Sequence, residues 1–182
     1  MKKQILIIVL VLFSLKAFCQ ENSLTLSSGY SFATIEDSGI KTTGFRIMGT
    51  YEFNPAGGKF AHGFSFGYTG LKGTDGVGLQ EIKYTVNSFP IYYTPKIMLG
   101  NGKVKGFIKG VLGSQIASLK REGSVSLSDT DFGFYGGGGA GIMFLVNENI
   151  FINAEYEIAW ASNSFYKDGW INTAGGGIGF KF

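Results

Sequence analysis

The residues with the clearest catalytic potential are His62, the single histidine of the sequence, and Ser65. A serine hydrolase needs its serine and histidine side by side, with the histidine as the general base. On a β-strand, however, residues three apart point to opposite faces, so His62 and Ser65 cannot form such a pair. We therefore predict no catalytic residue and no enzymatic activity. Hydrolysis of a lipid or a peptide with a more distant serine stays as an alternative.

Three glycines, Gly136, Gly138 and Gly141, match the spacing G-x-G-x-x-G of dinucleotide-binding turns. That function requires a strand before the glycines and a helix after them. The apolar residues around them instead keep the alternation of one continuous strand. The sequence also contains no group of Cys, His and carboxylate residues with metal-ligand spacing. We predict neither a cofactor nor a metal.

Charged residues at alternating positions suggest a different kind of site. They share the strand face that carries small and polar residues, with five positive charges against three negative ones. Because buried charges persist only when they are paired, we predict a salt-bridged network that closes an interior to solutes. The alternative is that some of these residues lie at the rims in water. The predicted network consists of Arg46, Glu52, Lys96, Lys105, Lys109, Glu155, Glu157 and Lys181.

The segments that would position these charges alternate with period two. In residues 45–53, Phe45 and Ile47 alternate with Arg46 and Met48, which is typical of a strand between two different environments. Turn residues divide the chain into eight such segments. The predicted strands are 23–35, 42–53, 59–71, 80–99, 103–118, 131–146, 150–162 and 170–182.

The connections between these strands alternate between short and long. The short turns are at 54–58, 100–102 and 147–149, and the mostly longer, more polar loops are at 36–41, 72–78, 119–130 and 162–169. This alternation is typical of outer-membrane barrels, in which closure pairs the backbone groups that lipid cannot satisfy. We predict an all-β fold, an eight-stranded antiparallel up-and-down transmembrane β-barrel with both termini in the periplasm. Its bulky aromatic face would contact outer-membrane lipid, and its small and polar face would line the lumen.

One predicted strand carries an irregularity. Pro90 lies inside it, and the apolar alternation changes phase between Val86 and Phe89. One extra residue near Asn87 and Ser88 would explain both observations, so we predict a β-bulge there.

The first 19 residues form a separate segment. Lys2 and Lys3 precede a short apolar run, and Ala17 and Cys19 supply small residues before a cut, as in a secretory signal peptide. We predict that 1–19 are removed and that 20–182 form one barrel domain, with lipidation of Cys19 as the alternative. The chain has 16 Lys and Arg and 13 Asp and Glu, and three of the 16 lie in this segment. The remaining 13 positive charges equal the 13 negative ones, which argues against a nucleic-acid partner.

The last residues, 175–182, carry the most specific motif. Gly177, Phe180 and Phe182 alternate toward a terminal phenylalanine. The mature chain resembles the small eight-stranded outer-membrane barrels of Gram-negative bacteria, the OmpA/OmpX-like family, whose C-terminal insertion signal has this pattern. The family's usual polar residue at the start of the signal is replaced by Gly175. The resemblance implies recognition by the barrel assembly machinery.

These observations lead to one functional expectation with two alternatives. We expect a monomeric, multi-pass outer-membrane protein with a filled lumen and a structural or surface-recognition role. Its candidate contact surface for an extracellular ligand is formed by residues 120–124 and 162–170. A narrow porin-like channel and an outer-membrane enzyme acting on lipid or peptide are the alternatives.

Overall fold

The structure is a computed structural model, and it describes residues 21–36, 38–54, 58–76, 81–123 and 126–182. The predicted signal peptide and residue 20 lie outside the described residues. Among the described residues, no helix is long and apolar enough to cross a membrane. The strands are β1 (Glu21–Ile35), β2 (Lys41–Asn54), β3 (Phe60–Asp75), β4 (Ile82–Leu99), β5 (Val104–Glu122), β6 (Ser126–Leu145), β7 (Ile150–Ala161) and β8 (Tyr166–Lys181).

The eight strands form one closed antiparallel barrel in sequence order. Closure is made by β1 and β8, where Ser23 lies opposite Lys181 and Tyr30 lies opposite Ala174. Both described ends of the chain, Glu21 and Phe182, lie at the end of the barrel that carries the short turns, which we call the periplasmic end. The predicted fold and strand order are confirmed, since each predicted strand overlaps the strand observed at its position.

The hairpin of β5 and β6 is longer than the sequence predicted. The predicted loop 119–130 is mostly strand, because β5 continues to Glu122 and β6 begins at Ser126. The two strands have 19 and 20 residues, whereas about 9–11 suffice to cross a bilayer. β7 pairs with β6 only from Tyr135 onward, so residues 126–134 extend past β7. The serine and aspartate content of this segment hides its strand character, and pairing with β5 overrides that weak local preference.

The predicted bulge in β4 is wrong. Phe66 pairs with Ile91 and Thr69 pairs with Ser88, which is the same register on both sides of the suspected insertion. The phase of the apolar residues changes because the barrel interior itself becomes apolar toward the extracellular end, where the side chain of Val86 is fully buried. Pro90 also faces inward and is accommodated by a local gap in the ladder with β3, without an extra residue.

The outward face is apolar around the middle of the barrel. Phe66, Ile108 and Ile158 are 66%, 54% and 43% exposed. Trp160 and Trp170 lie directly opposite each other on β7 and β8, near the loop that joins these strands. These residues provide the lipid-facing surface and an aromatic girdle at its outer margin.

The inward face is less uniformly small and polar than the sequence predicted. Phe107 and Phe151 point into the lumen and are each 1% exposed. They fit because glycines lie beside them on the neighbouring strands. A Cβ on Gly179 would overlap the Phe151 ring, and one on Gly141 would lie 2.5 Å from Cζ of the Phe107 ring. Period-two alternation therefore separates the two faces but does not reveal which large residues fill the lumen.

Candidate functional site in the barrel lumen

The lumen is filled in layers along the barrel axis. Toward the extracellular end, a large cluster of buried apolar side chains includes Ile35, Leu71, Val86, Leu119 and Phe165. Toward the periplasmic end, a smaller cluster contains Phe107, Met143 and Phe151. Charged and hydroxyl side chains occupy the space between them.

The centre of the charged layer is Glu157 on β7. One carboxylate oxygen, Oε1, lies 2.5 Å from Arg46 Nη1, and the other, Oε2, lies 2.8 Å from Lys109 Nζ. Lys109 also contacts Glu155 Oε1 at 2.9 Å. Arg46, Lys109 and Glu157 are nearly inaccessible, with side-chain exposures of 5%, 7% and 1%. This cluster joins β2, β5 and β7 across the lumen.

Two tyrosines complete the coordination of the central carboxylate. Tyr135 Oη donates to Glu157 Oε1 at 3.2 Å, and Tyr92 Oη donates to Oε2 at 3.2 Å. Arg46 donates to Tyr92 Oη as well, and the two tyrosine rings stack with centroids 5.5 Å apart. Neither tyrosine is among the residues predicted from the sequence, because the predicted network consists only of charged residues. Both tyrosines lie at inward positions of the period-two alternation in β4 and β6, and this was the signal in the sequence that could have identified them.

The strand register explains why this cluster can form. Lys109 on β5 lies opposite Gly139 on β6, which in turn lies opposite Glu157 on β7. A Cβ on Gly139 would lie 3.1 Å from Lys109 Cε, so the glycine leaves room for the lysine to reach across β6. The same lateral row continues to Thr173 and then Ser31, whose hydroxyls are 2.8 Å apart.

A second buried pair lies closer to the periplasmic end. Lys96 on β4 contacts Glu52 on β2, with side-chain exposures of 6% and 7%. The Lys96 ammonium lies over the Phe107 ring, 4.7 Å from its centroid, and Ser23 Oγ donates to Glu52 Oε2 at 3.4 Å. The Phe107 ring therefore joins this pair to the lower apolar cluster.

The remaining predicted charges lie near the periplasmic rim. Lys181 lies 3.4 Å from Glu21, a pair whose carboxylate is mostly exposed. Lys105 makes no ion pair with the described residues and lines a cavity that opens at this rim. Six of the eight predicted charges thus form two separate buried clusters. Of the other two, Lys181 pairs with Glu21 at the rim, and Lys105 has no ion pair among the described residues.

Packing around the charged layer leaves little free volume. Two cavities beside it have volumes of about 20 Å³ and 10 Å³, and each has room for about one water molecule. With packed apolar clusters above and below, the described side chains fill the lumen and leave no room there for a solute.

Comparison with known proteins agrees with this geometry. Residues 5–182 match the family described as "Outer membrane protein beta-barrel domain". The chain belongs to this family. It is an integral, multi-pass protein of the bacterial outer membrane. No curated protein sequence matches the chain.

Solved structures show the same fold as this outer-membrane barrel. Neisserial surface protein A (NspA) has a TM-score of 0.68 at 14% identity, with 88% of this chain and 97% of NspA covered. Ail, the attachment invasion locus protein of Yersinia pestis, has a TM-score of 0.59 at 22% identity, with 89% and 98% covered. A second Ail structure, in complex with the heparin analogue sucrose octasulfate, has a TM-score of 0.58 at 19% identity, with 90% and 99% covered.

The C-terminal signal residues occupy the last strand of the outer-membrane barrel and its end. Phe180 and Phe182 are 50% and 43% exposed, and their rings stack with centroids 6.3 Å apart. Gly177 lies against the backbone of β1, opposite Ser27. Phe180 and Phe182 give the periplasmic rim near the barrel seam an aromatic outer surface.

The residues first considered for catalysis lie apart. His62 Nδ1 is 2.6 Å from Tyr93 Oη, and its ring stacks on Phe53 with centroids 5.0 Å apart. Ser65 is buried on the opposite, inward face, 3% exposed. Gly136, Gly138 and Gly141 lie within the continuous strand β6, and no group of three metal-binding side chains occurs in the described part of the chain.

Proposed function

We propose that this outer-membrane barrel is a non-enzymatic surface protein that contacts an extracellular anionic partner through its extended β3–β5 end. The observation that carries the proposal is a group of lysines, Lys72, Lys83 and Lys120, on the outward side of that end. Loops and hairpins on a rigid scaffold are where binding residues concentrate. We therefore expect the partner to recognise the positive charge of a rigid surface.

The register brings the three lysines together. Lys72 lies opposite Thr85, and Thr85 lies opposite Lys120, so β3, β4 and β5 contribute one lateral row. Lys83 lies opposite Glu122 in the next row along the strands. The hydrogen bond from Lys120 lowers the pKa of the Glu122 carboxyl, and Lys83 and Lys72 add to this effect. The three lysines therefore lie close together on one part of the surface.

The charge of this surface is positive after its own ion pairs are counted. Glu122 contacts Lys120, and Glu81 lies 3.6 Å from Lys83, which leaves the third lysine, Lys72, without a carboxylate partner among the described residues. Both ion pairs are well exposed, so they exchange readily for contacts with an external anion. A sulfated or phosphorylated glycan has suitable chemistry. Ail, which has the same fold, was solved with a sulfated sugar.

The lumen and the catalytic candidates support the non-enzymatic part of the proposal. His62 and Ser65 point to opposite faces of β3, and the central carboxylate Glu157 is enclosed by cations and tyrosines that leave no space for a substrate. We also infer a monomer that depends on the barrel assembly machinery for insertion. Closure satisfies most strand edges within one chain, which supports the monomer.

The test is binding of the protein in lipid nanodiscs to immobilised heparin. The affinity of the double variant Lys72→Gln/Lys120→Gln for heparin should fall by about tenfold or more, because the variant loses two charge-assisted contacts. The control is Lys167→Gln, which removes an exposed lysine from the same end on β8, a strand that does not adjoin β3, β4 or β5. Equal loss in both variants, or no binding by the unaltered protein, would contradict this surface assignment.

Two further measurements separate the alternatives. In planar bilayers the protein should give no steady conductance above that of the lipid alone, and a stable conductance would favour a narrow channel. An esterase, lipase and peptidase screen of the purified barrel should give no activity. Activity that disappears in the His62→Gln variant would favour the enzyme alternative.

A further inference from the structure

A cavity at the periplasmic end of the barrel is not part of the filled lumen. It has a volume of about 210 Å³ and is lined from the periplasmic ends of all eight strands. Its inner boundary includes the ion pair of Lys96 with Glu52 and the buried side chains Met143 and Phe151. The cavity is therefore a blind vestibule beneath the closed lumen rather than the entrance of a pore.

The vestibule carries an excess of positive charge. Four lysines line it, namely Lys59, Lys96, Lys105 and Lys181, against two carboxylates, Glu21 and Glu52. Lys96 is paired with Glu52, and Lys181 is paired with Glu21. Lys59 and Lys105 make no ion pair with any residue that the structure describes. Lys105 is only partly exposed and lines the cavity.

Apolar side chains also line the cavity, beside the lysines. Met98, Met143, Phe151 and Ala61 line it, and the last three are buried. Since Met143 lies opposite Lys105 in the strand register, cations and apolar side chains are neighbours in this cavity, which suits a ligand that carries an anionic group and a small apolar group close together. Its volume lies below the range of about 300–1,000 Å³ typical of sites for drug-sized ligands, so the ligand must be small.

From this arrangement we infer that the vestibule is a binding site for a small periplasmic carboxylate. The ligand has the size and character of an acylated small amino acid. The carboxylate is bound by Lys105, with Lys59 contributing at the mouth, and the apolar group contacts Met98 and Met143. This site faces the periplasm and is independent of the extracellular surface proposed above.

The four methionines of the sequence supply the experiment. Met1 belongs to the predicted signal peptide, Met98 and Met143 line the vestibule, and Met48 lies higher in the lumen beside the two small cavities. The barrel is labelled with ¹³C-methyl methionine, placed in nanodiscs open on both sides, and titrated with N-acetylalanine. The Met98 and Met143 methyl signals should shift and saturate, while the Met48 signal stays in place.

Two comparisons test the carboxylate and the lysine. N-acetylalaninamide has almost the same shape without the charge and should bind about tenfold more weakly, because a charge-assisted hydrogen bond is lost. The Lys105→Gln variant should weaken binding of the carboxylate by about the same factor. Lys103→Gln removes the same charge two residues away, outside the cavity lining, and should bind as the unaltered protein does.

Several results would overturn the inference. These are equal binding of the amide and the carboxylate, equal weakening by Lys103→Gln and Lys105→Gln, shifts that never saturate, or shifts of Met48 as large as those of Met98. Unboiled and boiled gel migration of each variant establishes that it is folded. Weaker heparin binding by Lys105→Gln would also count against a separate periplasmic site.

Discussion

Arg46 Nη1 and Glu157 Oε1 lie 2.5 Å apart in the middle of the barrel, and neither side chain is more than 5% exposed. The contact joins β2 to β7 across the lumen, between strands that do not pair with each other. Burial has removed the hydration of both charges, so each depends on the other for compensation. Removing one partner leaves the other charged and without compensation, which is far more costly than the pair itself is stabilising.

Replacing Glu157 with glutamine should therefore destabilise the barrel strongly. Arg46 and Lys109 would lose their shared carboxylate, and Tyr92 and Tyr135 would lose a charged acceptor. We expect a loss of about 3–5 kcal/mol in the free energy of unfolding, measured by urea titration in lipid vesicles. Glu155→Gln is the matched control. Its side chain is 18% exposed, and Lys109 keeps Glu157, so the loss should be about 1 kcal/mol or less. Equal losses would contradict the central role of Glu157.

The loss of stability caused by a charge on the outward face should depend on the depth of that charge in the membrane. Phe66→Arg and Ile158→Arg place a cation near the bilayer midplane and should each cost about 2–4 kcal/mol in the same unfolding assay. Phe60→Arg introduces the same charge at the periplasmic end of β3 and should cost about 0–1 kcal/mol. All three side chains face outward and are 66%, 43% and 45% exposed, respectively. If the three variants are equally stable, the lipid-facing band assigned to Phe66 and Ile158 is wrong.

The packing of Phe151 on Gly179 should be sensitive to one methyl group. Gly179→Ala places a Cβ inside the Phe151 ring and should destabilise by about 1–3 kcal/mol. Gly106→Ala is the control, because its added Cβ has no neighbour closer than 3.6 Å. The double variant Gly179→Ala/Phe151→Leu should lose less than the sum of the two single changes, since the smaller side chain yields space. Strict additivity would show that the two residues do not compete for volume.

The terminal phenylalanines should affect assembly more than folded stability. Phe180→Ser/Phe182→Ser should sharply lower the amount of protein in the outer membrane, which is measured by membrane fractionation and heat-dependent gel migration. Phe60→Ser/Phe144→Ser is the matched control, with two aromatic losses at the same rim but Phe180 and Phe182 retained. Equal loss of assembly in the two variants would refute the role given to the terminal residues.

The sequence alone determined the class of fold. Alternation such as that of Phe45 and Ile47 with Arg46 and Met48 records which backbone positions face lipid, and this information is local to each strand. The turn residues between the apolar segments set the number of strands, and the even number puts both termini at one end. These properties can be predicted because each one depends on neighbours within a few residues along the chain.

Only the tertiary structure decided how the lumen is filled. Glu157 contacts Arg46 and Lys109 rather than Lys96 because the strand register and Gly139 allow their side chains to meet across the barrel. The prediction of a bulge in β4 was wrong because it used local alternation alone. The apolar side chain of Val86 faces inward and packs against residues from strands distant in sequence. The vestibule likewise needs the ends of all eight strands. Period two gives each side chain a face, but partners within the lumen depend on closure and register, which no single segment encodes.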